Sequence, residues 1–298
     1  MRFPTVKQLR YFVTLEETGH FGQAAELCHV SQSAFSNAIQ ELESLLEVQL
    51  VDRTNRQVTI TAIGKDIAVH ARLCLRDLEA LVELASGQRE PLTGDLNLGV
   101  IPTIAPFLLP TLLPRLRKAY PELRLFLTED KTQELHEQMM EGKLDLILLA
   151  LPYDLRGVEE LPLFKDQFLM AYREGTSRVD PTNHRLNREE MESVILMQDG
   201  HCLRDHAIDA CKLRSGYRVS RYAATSLLTL VEMVDADLGI TFLPAMAEKS
   251  TLLRNTRVKT LPMPARSYRN IGLAWRKGSN RDEEFRMLGN FIRDNTQF

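Results

Sequence analysis

The 298-residue chain has few aromatic residues, one tryptophan and four cysteines, and no uninterrupted apolar run long enough to cross a membrane. So few cysteines exclude a small disulfide-stapled protein, and a composition that is 44% hydrophobic and 26% charged excludes a disordered or collagen-like chain. The first residues also lack the apolar segment of a secretory signal. We therefore expect a cytoplasmic protein whose cysteines, Cys28, Cys74, Cys202 and Cys211, are reduced by default.

A dominant charge of either sign is also absent. The net charge is −3, and residues 1–60 carry five basic and seven acidic residues. This balance argues against a protein that binds polyanions through charge alone. Any reading of nucleic acid by the N-terminal segment has to come from the shape and the side chains of its helices.

Short amphipathic helices are predicted for the N-terminal segment. Leu9, Phe12 and Val13 share one helical face, and a second short helix follows a glycine break. Ser31 is a good N-cap for a third helix, whose apolar face contains Phe35, Ile39, Leu42 and Leu45 or Leu46. Residues 51–60 have the pattern of a strand, a polar turn and a strand. Together these patterns predict a helix-turn-helix followed by a β-wing.

One long helix is predicted for residues 62–86. Its apolar positions alternate by four and three residues, which is the spacing of a coiled-coil seam: Ile67, Ala71, Cys74, Leu78, Leu81 and Ala85. We interpret this helix as a dimerisation element, and the alternative is a helix that packs on its own domain. Residues 87–94, which include Pro91, are predicted to be a linker.

From residue 96 onward, strands and helices alternate, which predicts an α/β fold with two lobes. The chain length allows two or three domains. Strands are predicted at 96–101, 123–128, 144–151, 168–172, 217–222, 240–243 and 271–275. Helices are predicted at 107–119, 133–141 and 282–292, and two further helices are predicted to begin near residues 203 and 226. The bare apolar strand 144–151 is typical of a buried parallel sheet. Ligands of such folds lie near strand carboxyl ends and helix N-termini.

Several N-terminal motifs resemble one family. They are Leu9-Arg10-Tyr11-Phe12, Phe21-Gly22-Gln23-Ala24-Ala25, Val30-Ser31-Gln32-Ser33-Ala34-Phe35-Ser36, Ile39-Gln40-Glu41-Leu42-Glu43, Leu50-Val51-Asp52-Arg53 and Thr59-Ile60-Thr61-Ala62-Ile63-Gly64. The chain resembles the LysR-type transcriptional regulators. The resemblance implies a winged helix-turn-helix (1–61), a linker and dimerisation helix with a hinge (62–93), and a regulatory domain (94–298). That domain is expected to have the fold of type 2 periplasmic binding proteins, with lobe I formed by 94–164 and 268–298 and lobe II by 165–267.

The family also implies partners and a location. A regulator of this kind is a homodimer that pairs into a homotetramer in the bacterial cytoplasm. It binds double-stranded promoter DNA, is associated with the nucleoid, and acts together with RNA polymerase. The resemblance implies no enzymatic activity, no cofactor, no metal and no membrane contact.

A narrower resemblance is carried by the regulatory domain. Its motifs are Gly99-Val100-Ile101-Pro102-Thr103, Gly142-Lys143-Leu144-Asp145, Asp199-Gly200-His201-Cys202-Leu203-Arg204-Asp205, Ala224-Thr225-Ser226-Leu227 and Gly239-Ile240-Thr241-Phe242-Leu243-Pro244-Ala245, with Cys211 nine residues after Cys202. These motifs resemble the OxyR group of hydrogen-peroxide sensors, which activate oxidative-stress genes. The resemblance implies a reversible disulfide between a peroxidatic Cys202 and a resolving Cys211, reduced again by glutaredoxin or thioredoxin. It also implies peroxide-holding residues, Thr103, Thr132 and Arg269, and supporting residues, His201 and Asp205.

The residues around Cys202 suit thiolate chemistry. A thiolate, not a thiol, attacks peroxide, and Cys202 follows a predicted helix start whose backbone N–H groups favour negative charge. His201 and Arg204 add donors or positive charge. The resulting sulfenic acid condenses with a nearby thiol. Nine residues of α-helix rise about 13.5 Å, whereas a disulfide needs Cα atoms within about 7 Å, so the bond to Cys211 requires this segment to refold.

Other interpretations of these side chains stay open. A lone cytosolic cysteine is usually a small buried hydrophobe, which we expect for Cys28 and Cys74 on apolar helix faces. Zinc is a further option, because two sulfurs and two imidazoles lie close in sequence, although their spacing matches no usual finger pattern: His201, Cys202, His206 and Cys211. The segment Val219–Ala224 does not reproduce the histidine and arginine that are usual there in the OxyR group, which changes the packing expected of the switch.

A polar stripe without lysine or arginine marks the third helix. Its residues are Ser31, Gln32, Ser33, Ser36, Asn37 and Gln40. Such side chains bond to base edges or to phosphates, and the alternative is an ordinary solvated helix face. Arg53 and Arg56 in the wing are predicted to contact the DNA backbone or the minor groove.

Three functions compete at this point. The leading one is a transcription factor whose thiols sense hydrogen peroxide. The second is a LysR-type regulator that binds a small anionic metabolite between its lobes and has incidental cysteines. The third is a cysteine peroxidase, which would not need a DNA-reading segment at its start.

Overall fold

The computed structural model describes residues 3–54, 57–86, 91–180, 185–186, 194–210 and 219–296. The chain divides into two compact units, residues 1–90 and 91–298. None of the helices in these described ranges combines the length and the apolarity that crossing a bilayer needs.

The first unit is a helix-turn-helix with a wing, as predicted. Its elements are α1 (Val6–Thr18), α2 (Phe21–Leu27), α3 (Gln32–Leu46), β1 (Val51–Thr54), β2 (Gln57–Ile60) and α4 (Ala62–Ser86). Strands β1 and β2 pair antiparallel with Val51 opposite Ile60. The predicted inward face of α3 is confirmed, because Phe35, Ile39 and Leu42 are fully buried in the core of this unit.

Local sequence explains where these helices begin and how they are joined. The Thr5 hydroxyl accepts the N–H of Gln8, and the Gln8 side chain accepts the N–H of Thr5, which is a capping box. The Ser31 hydroxyl accepts the N–H of Ala34 at 3.3 Å, as expected of an N-cap. Between α2 and α3, His29 adopts the left-handed conformation (φ 55°), which turns the chain sharply into the third helix.

Helix α4 has two different halves. Ile67 and Ala71, assigned to the coiled-coil seam, instead pack within their own unit, where α4 lies against α1. The Arg72 guanidinium donates to Glu16 of α1 at 2.7 Å and fixes this contact. Farther along, Leu78 and Leu81 are exposed, as a seam awaiting a partner would be. The expectation of a buried Cys74 is wrong for the single chain, where this cysteine is exposed, and Cys28 is half-buried.

The second unit is a two-lobed α/β structure. Its elements are β3 (Gly94–Val100), α5 (Ala105–Ala119), β4 (Leu123–Glu129), α6 (Thr132–Met140), β5 (Leu146–Leu151), β6 (Val158–Arg173), β7 (Val179–Asp180), β8 (Arg185–Leu186), β9 (Val194–Met197), α7 (Cys202–Ala210), β10 (Val219–Ala224), α8 (Leu227–Asp235), β11 (Thr241–Pro244), β12 (Val258–Pro262), β13 (Tyr268–Arg276) and α9 (Asp282–Asn295). Two 3₁₀ turns cover Ala245–Ala247 and Thr251–Leu253.

The sheet of the first lobe is mixed rather than parallel. Its strand order is β4-β3-β5-β13-β6; β3 pairs parallel with β4 and β5, whereas β13 runs antiparallel to β5 and β6. The predicted parallel sheet is therefore correct only for β3, β4 and β5. Strand β5 is buried along its whole length, which explains its bare apolar sequence.

One long strand, β6, crosses from one lobe to the other. The first ten residues of β6 lie beside β13, and its last residues, Phe168–Arg173, pair antiparallel with β11 and β12 of the second lobe. Beyond β11 the second lobe continues through β9, which pairs parallel with β10. The predicted lobe boundaries, 164/165 and 267/268, fall within β6 and at the start of β13. The sequence patterns had missed β9, β12 and the first half of β6.

Each lobe has its own apolar core, and α7 contributes to both. Cys202, the first residue of the helix, packs in the core of the first lobe, whereas its neighbour Leu203 packs in the core of the second. The reactive segment predicted from the sequence thus lies where the lobes meet.

Gly272 allows β13 to lie close to its two neighbouring strands. A Cβ at this position would come within 2.5 Å of Leu151 Cδ1 and 2.9 Å of the Leu161 carbonyl oxygen, and backbone cannot give way cheaply.

We expect Gly272→Ala to lower the free energy of unfolding by about 1–3 kcal/mol. Denaturant unfolding measures this, with exposed Lys277→Ala as the control; equal stability of the two variants would contradict the close approach.

Candidate functional site between the lobes

A small cleft opens where three loops of the second unit meet. These loops follow β3, β4 and β9 and lead into α5, α6 and α7, so strand carboxyl ends and helix N-termini converge there. The cleft measures about 180 Å³ including its open mouth, and its enclosed part holds about one water-sized molecule. Its lining residues are Ile101, Pro102, Thr103, Lys131, Thr132, Gly200, His201 and Cys202.

The helix starts around the cleft differ in the donors that they offer. Neither α5 nor α6 has a side-chain cap. At the start of α5 the N–H groups of Ala105 and Phe107 donate to backbone carbonyls and Pro106 has none, so the N-terminus that offers donors to negative charge is that of α6. Thr132 is the first residue of α6 and Cys202 the first residue of α7. Gly200 reaches α7 with φ 87°, a conformation that favours glycine, and it leaves Lys131 beside the loop.

Arg269 on β13 connects the parts of the site. Its side chain is fully buried. Nη1 donates to the Thr103 hydroxyl at 2.8 Å, Nη2 donates to the Thr103 carbonyl at 2.9 Å, and Nε donates to Asp166 at 3.0 Å. Nη2 also contacts the sulfur of Met246 at 3.6 Å. A single guanidinium thereby joins a loop of the first lobe, a crossing strand and a 3₁₀ turn of the second lobe.

Asp166 is the counter-ion of Arg269. The two residues are opposite each other in the β6–β13 pair, and both side chains are excluded from solvent. The carboxylate also accepts the backbone N–H of Met246 at 3.1 Å. Burial raises the pKa of Asp166, while Arg269 and the backbone donors of Met246 and Ala245 oppose the rise.

Cys202 is a buried thiol under opposing influences. Burial raises its pKa most, and Asp205 adds to the rise; Arg269, Thr132 and the backbone of Leu203 act in the opposite direction. The Thr132 hydroxyl is close enough to the sulfur to favour the thiolate, yet its oxygen is buried and makes no hydrogen bond. The sulfur therefore has polar support on one side of a largely apolar pocket.

The neighbouring titratable groups also respond to burial. Burial lowers the pKa of His201, and Lys131 lowers it further, which keeps the imidazole neutral. The pKa of Tyr153 is raised by burial and by Cys202, Glu134 and Asp205. Of the two roles that the sequence left open for His201, a donor or a positive charge, the direction of its pKa favours the neutral donor.

The remaining predicted site residues lie in different places. Arg204 turns away from the cleft: it pairs with Asp199 at 2.8 Å and donates to the Met197 carbonyl at 3.2 Å. The positive charge that lowers the pKa of Cys202 is that of Arg269, and a role of Arg204 as a donor or positive charge for the sulfur stays a prediction. Asp205 is exposed on α7 and disfavours the thiolate. Cys211 lies outside the described residues.

No cluster of three or more His, Cys, Asp or Glu side chains within the described ranges is arranged to hold a metal ion. Of the four residues in the zinc alternative, His206 has its Nε2 2.9 Å from the Pro152 carbonyl oxygen.

Comparison with known proteins identifies the family. The model of the lysR-family bacterial regulatory helix-turn-helix protein matches residues 6–65, and the LysR substrate binding domain matches residues 89–297. The chain belongs to the LysR family. Its members are transcriptional regulators, and both the N-terminal unit and the two-lobed unit have the fold expected from the sequence.

Similar proteins span nearly the whole chain. It is 38% identical over 287 residues to the HTH-type transcriptional regulator EstR of Acinetobacter baylyi, covering 96% of this chain and 95% of that protein. It is 38% identical over 288 residues to the DNA-binding transcriptional dual regulator OxyR of Escherichia coli, covering 97% and 94%. A solved cysteine-to-aspartate variant of full-length OxyR from Pseudomonas aeruginosa matches with a TM-score of 0.79 at 30% identity, covering 98% of both chains.

In this LysR-family chain, the polar stripe of α3 lies on the surface. Its exposed residues are Ser31, Gln32, Ser33, Asn37 and Gln40, and Ser36 is half-buried. The Ser31 hydroxyl is already engaged as a helix cap, and it lies 3.1 Å from the Ser33 hydroxyl. Of the two wing arginines, Arg56 and the side chain of Arg53 lie outside what the structure describes.

Sequence reasoning missed three residues of the site. Asp166 and Met246 come from segments distant in sequence, and only the strand pairing and the 3₁₀ turn bring them to Arg269. Lys131 directly precedes the predicted Thr132, so its charge was a signal that could have been used. His206 was considered only as a zinc ligand.

The ion pair offers a direct test of the thiol's electrostatics. Replacing both members, Asp166→Asn with Arg269→Met, removes the positive charge without leaving a buried carboxylate. We expect the pKa of Cys202 to rise further, because Arg269 opposes the effect of burial. The measurement is the pH dependence of Cys202 alkylation in a chain whose other cysteines are serine. Exposed Arg266→Met is the control, and an unmoved profile in the double variant would contradict this role of Arg269.

Proposed function

We propose that the chain is a LysR-type regulator of oxidative-stress genes that senses hydrogen peroxide through a reversible disulfide between Cys202 and Cys211. The observation that carries the proposal is the cleft, in which the Cys202 thiol shares a space for one very small molecule with Thr132 and the loop held by Arg269. Hydrogen peroxide has only two heavy atoms and can enter the cleft, which measures about 180 Å³ with its open mouth. The similarity to OxyR proteins over nearly the whole chain supports the same conclusion.

The first step oxidises Cys202. Its thiolate attacks one peroxide oxygen, an S–O bond forms while the O–O bond breaks, and the departing hydroxide takes up a proton and leaves as water. The Thr132 hydroxyl has no hydrogen-bond partner within the described residues and can donate to the reacting oxygen. Arg269 and the uncapped N-terminus of α6 stabilise the negative charge that develops there. Thr103, held by Arg269 at two points, fixes the opposite wall of the cleft.

The second step closes the disulfide. The Cys211 sulfur attacks the sulfenic sulfur of Cys202, and a second water is released. A dithiol reductant of the glutaredoxin or thioredoxin type supplies the two electrons that restore both thiols.

Helix α7 makes the oxidation a conformational event. It runs from Cys202 to Ala210, a rise of about 12 Å along its axis. Adjacent Cα atoms are only about 3.8 Å apart, so a neighbour of Ala210 cannot come within about 7 Å of Cys202 while the helix is intact. Closing the bond therefore unwinds α7 and withdraws Leu203 from the second core. This is how the redox state would reach the rest of the molecule.

The N-terminal unit supplies DNA binding and assembly in this proposal. Helix α3 enters the major groove of a promoter, because the second helix of a helix-turn-helix is the reading helix. The exposed residues Leu78, Leu81 and Val82 of α4 pair with a second copy, and two dimers form the tetramer. The DNA-bound tetramer then acts on RNA polymerase.

A metabolite-responsive regulator is the second candidate. Lys131 and the uncapped N-terminus of α6 at the cleft would suit a small anion, and the chain is as similar to EstR as to OxyR. The small enclosed volume favours peroxide over a carboxylate metabolite. Counting thiols before and after one equivalent of peroxide separates the two candidates.

The two cysteines should differ in peroxide chemistry. Cys202→Ser should abolish the fast reaction, whereas Cys211→Ser should consume one peroxide and accumulate a sulfenic acid, because only the second step is blocked. Mass spectrometry after trapping with a 1,3-dione measures both outcomes, and Cys74→Ser serves as a matched control with an exposed cysteine. A reactive Cys202→Ser protein with an inert Cys211→Ser protein would reverse the assignment.

The reading helix should discriminate between DNA sequences. Gln32→Ala or Ser33→Ala should weaken operator binding by about 1–3 kcal/mol and change non-specific binding little, because these exposed side chains face outward from α3. Fluorescence anisotropy on operator and random DNA at one salt concentration measures the difference. Ser44→Ala, exposed near the other end of the same helix, is the control. Equal losses of affinity for operator and random DNA would contradict a role of Gln32 and Ser33 in reading bases.

A further inference from the structure

One polar contact joins helix α7 to the first lobe. His206 lies one turn after Cys202, and residues four apart share a helix face. Its Nε2 atom is 2.9 Å from the carbonyl oxygen of Pro152, in the segment that follows β5. The same helix face therefore contacts the first lobe twice, through the buried Cys202 and through this hydrogen bond.

The contact fixes one proton of the imidazole. The Pro152 carbonyl can only accept, so Nε2 carries a hydrogen, and in the neutral ring Nδ1 is the unprotonated nitrogen. Nδ1 is buried and has no hydrogen-bond partner among the described residues. A second proton there would be a buried charge without an acceptor, so the docked arrangement requires the neutral ring.

The groups around His206 act in both directions. Burial lowers the pKa of His206 most, and Arg269 of β13 lowers it further; the Pro152 contact and the carboxylates Asp205 and Asp209 of α7 oppose this. The net effect is a pKa below the ordinary value. The docked helix then binds fewer protons than the undocked one, so docking is complete above about pH 6.5 and weakens as the pH falls below it.

We propose that His206 is a positioning residue, a neutral latch that docks α7 against the first lobe and holds the Cys202 thiol in the cleft until the helix unwinds. The inference rests on the proposed function for its purpose, since a latch on α7 matters only if α7 moves. It accounts for a half-buried imidazole that does not line the cleft and whose Nδ1 atom is buried without a hydrogen-bond partner among the described residues. It also makes release of the thiol easier in an acidified cytoplasm.

The test is hydrogen exchange of the α7 amides in the reduced full-length protein at pH 7.5 and 5.5, with each rate divided by its intrinsic chemical rate. In the wild type, protection should fall by up to about tenfold at the lower pH, since a group of pKa about 6.5 is mostly protonated there when undocked. His206→Gln keeps a donor for Pro152 but does not titrate, so its protection should be independent of pH. His206→Leu should lose protection at both values.

The chain offers a matched control. His136 of α6 has its Nε2 3.0 Å from the Arg156 carbonyl oxygen, the same type of contact in the same connecting segment but without α7. His136→Gln should leave α7 protection and its pH dependence as in the wild type. Far-ultraviolet circular dichroism confirms that each variant is folded.

Two results would overturn the latch. One is a His206→Leu protein that is folded and as protected in α7 as the wild type. The other is a His206→Gln protein that keeps the wild-type pH dependence, which would assign the titration to another group. The experiment uses no peroxide, so its result does not depend on disulfide formation. A chain that forms no disulfide would contradict the proposed function, and the exchange rates would still test the role of His206. In the oxidised series, disulfide closure should be faster in His206→Leu than in His136→Gln.

Discussion

The buried contact between Arg269 and Asp166 is the constraint on which the regulatory unit depends. Removing two charges from water is costly, and the cost is offset here because the guanidinium donates to a carboxylate, a hydroxyl and a carbonyl, while the carboxylate receives a backbone N–H as well. The pair lies at the start of β13, next to the point where β6 continues into the second lobe. It therefore joins β13 to β6 at this point and holds Thr103 in the cleft.

The same pair sets the charge around the thiol. Burial raises the pKa of Cys202, and Arg269 opposes that rise. Asp166 pairs with the same guanidinium, so the positive charge that acts on the sulfur is partly compensated. In the proposed mechanism, the incoming peroxide completes the polar surroundings of Cys202 and Thr132.

Much of the fold could be predicted from local signals. The Ser31 cap, the apolar face of α3 and the bare strand β5 each follow from residues close in sequence. The partner of Arg269 could not be predicted in this way, because a strand register brings together residues 103 positions apart. The charge of Arg269 near Cys202 could not be predicted from local sequence for the same reason, since only the fold brings β13 close to the start of α7. Ile67 and Ala71 have coiled-coil spacing, yet the adjacent α1 covers them first.

Because α7 contributes to both cores, the burial of Cys202 and of Leu203 depends on the distance between the lobes. One residue is buried in each core, so the lobes cannot separate by even a few ångströms without withdrawing one of the two side chains. A thiol probe too large for the closed cleft reacts only with the open state, at its intrinsic rate multiplied by the fraction of molecules that are open. Dividing the observed rate by the rate of the same probe with the unfolded chain gives the free energy of lobe opening, so Cys202 can report interlobe motion without any added label.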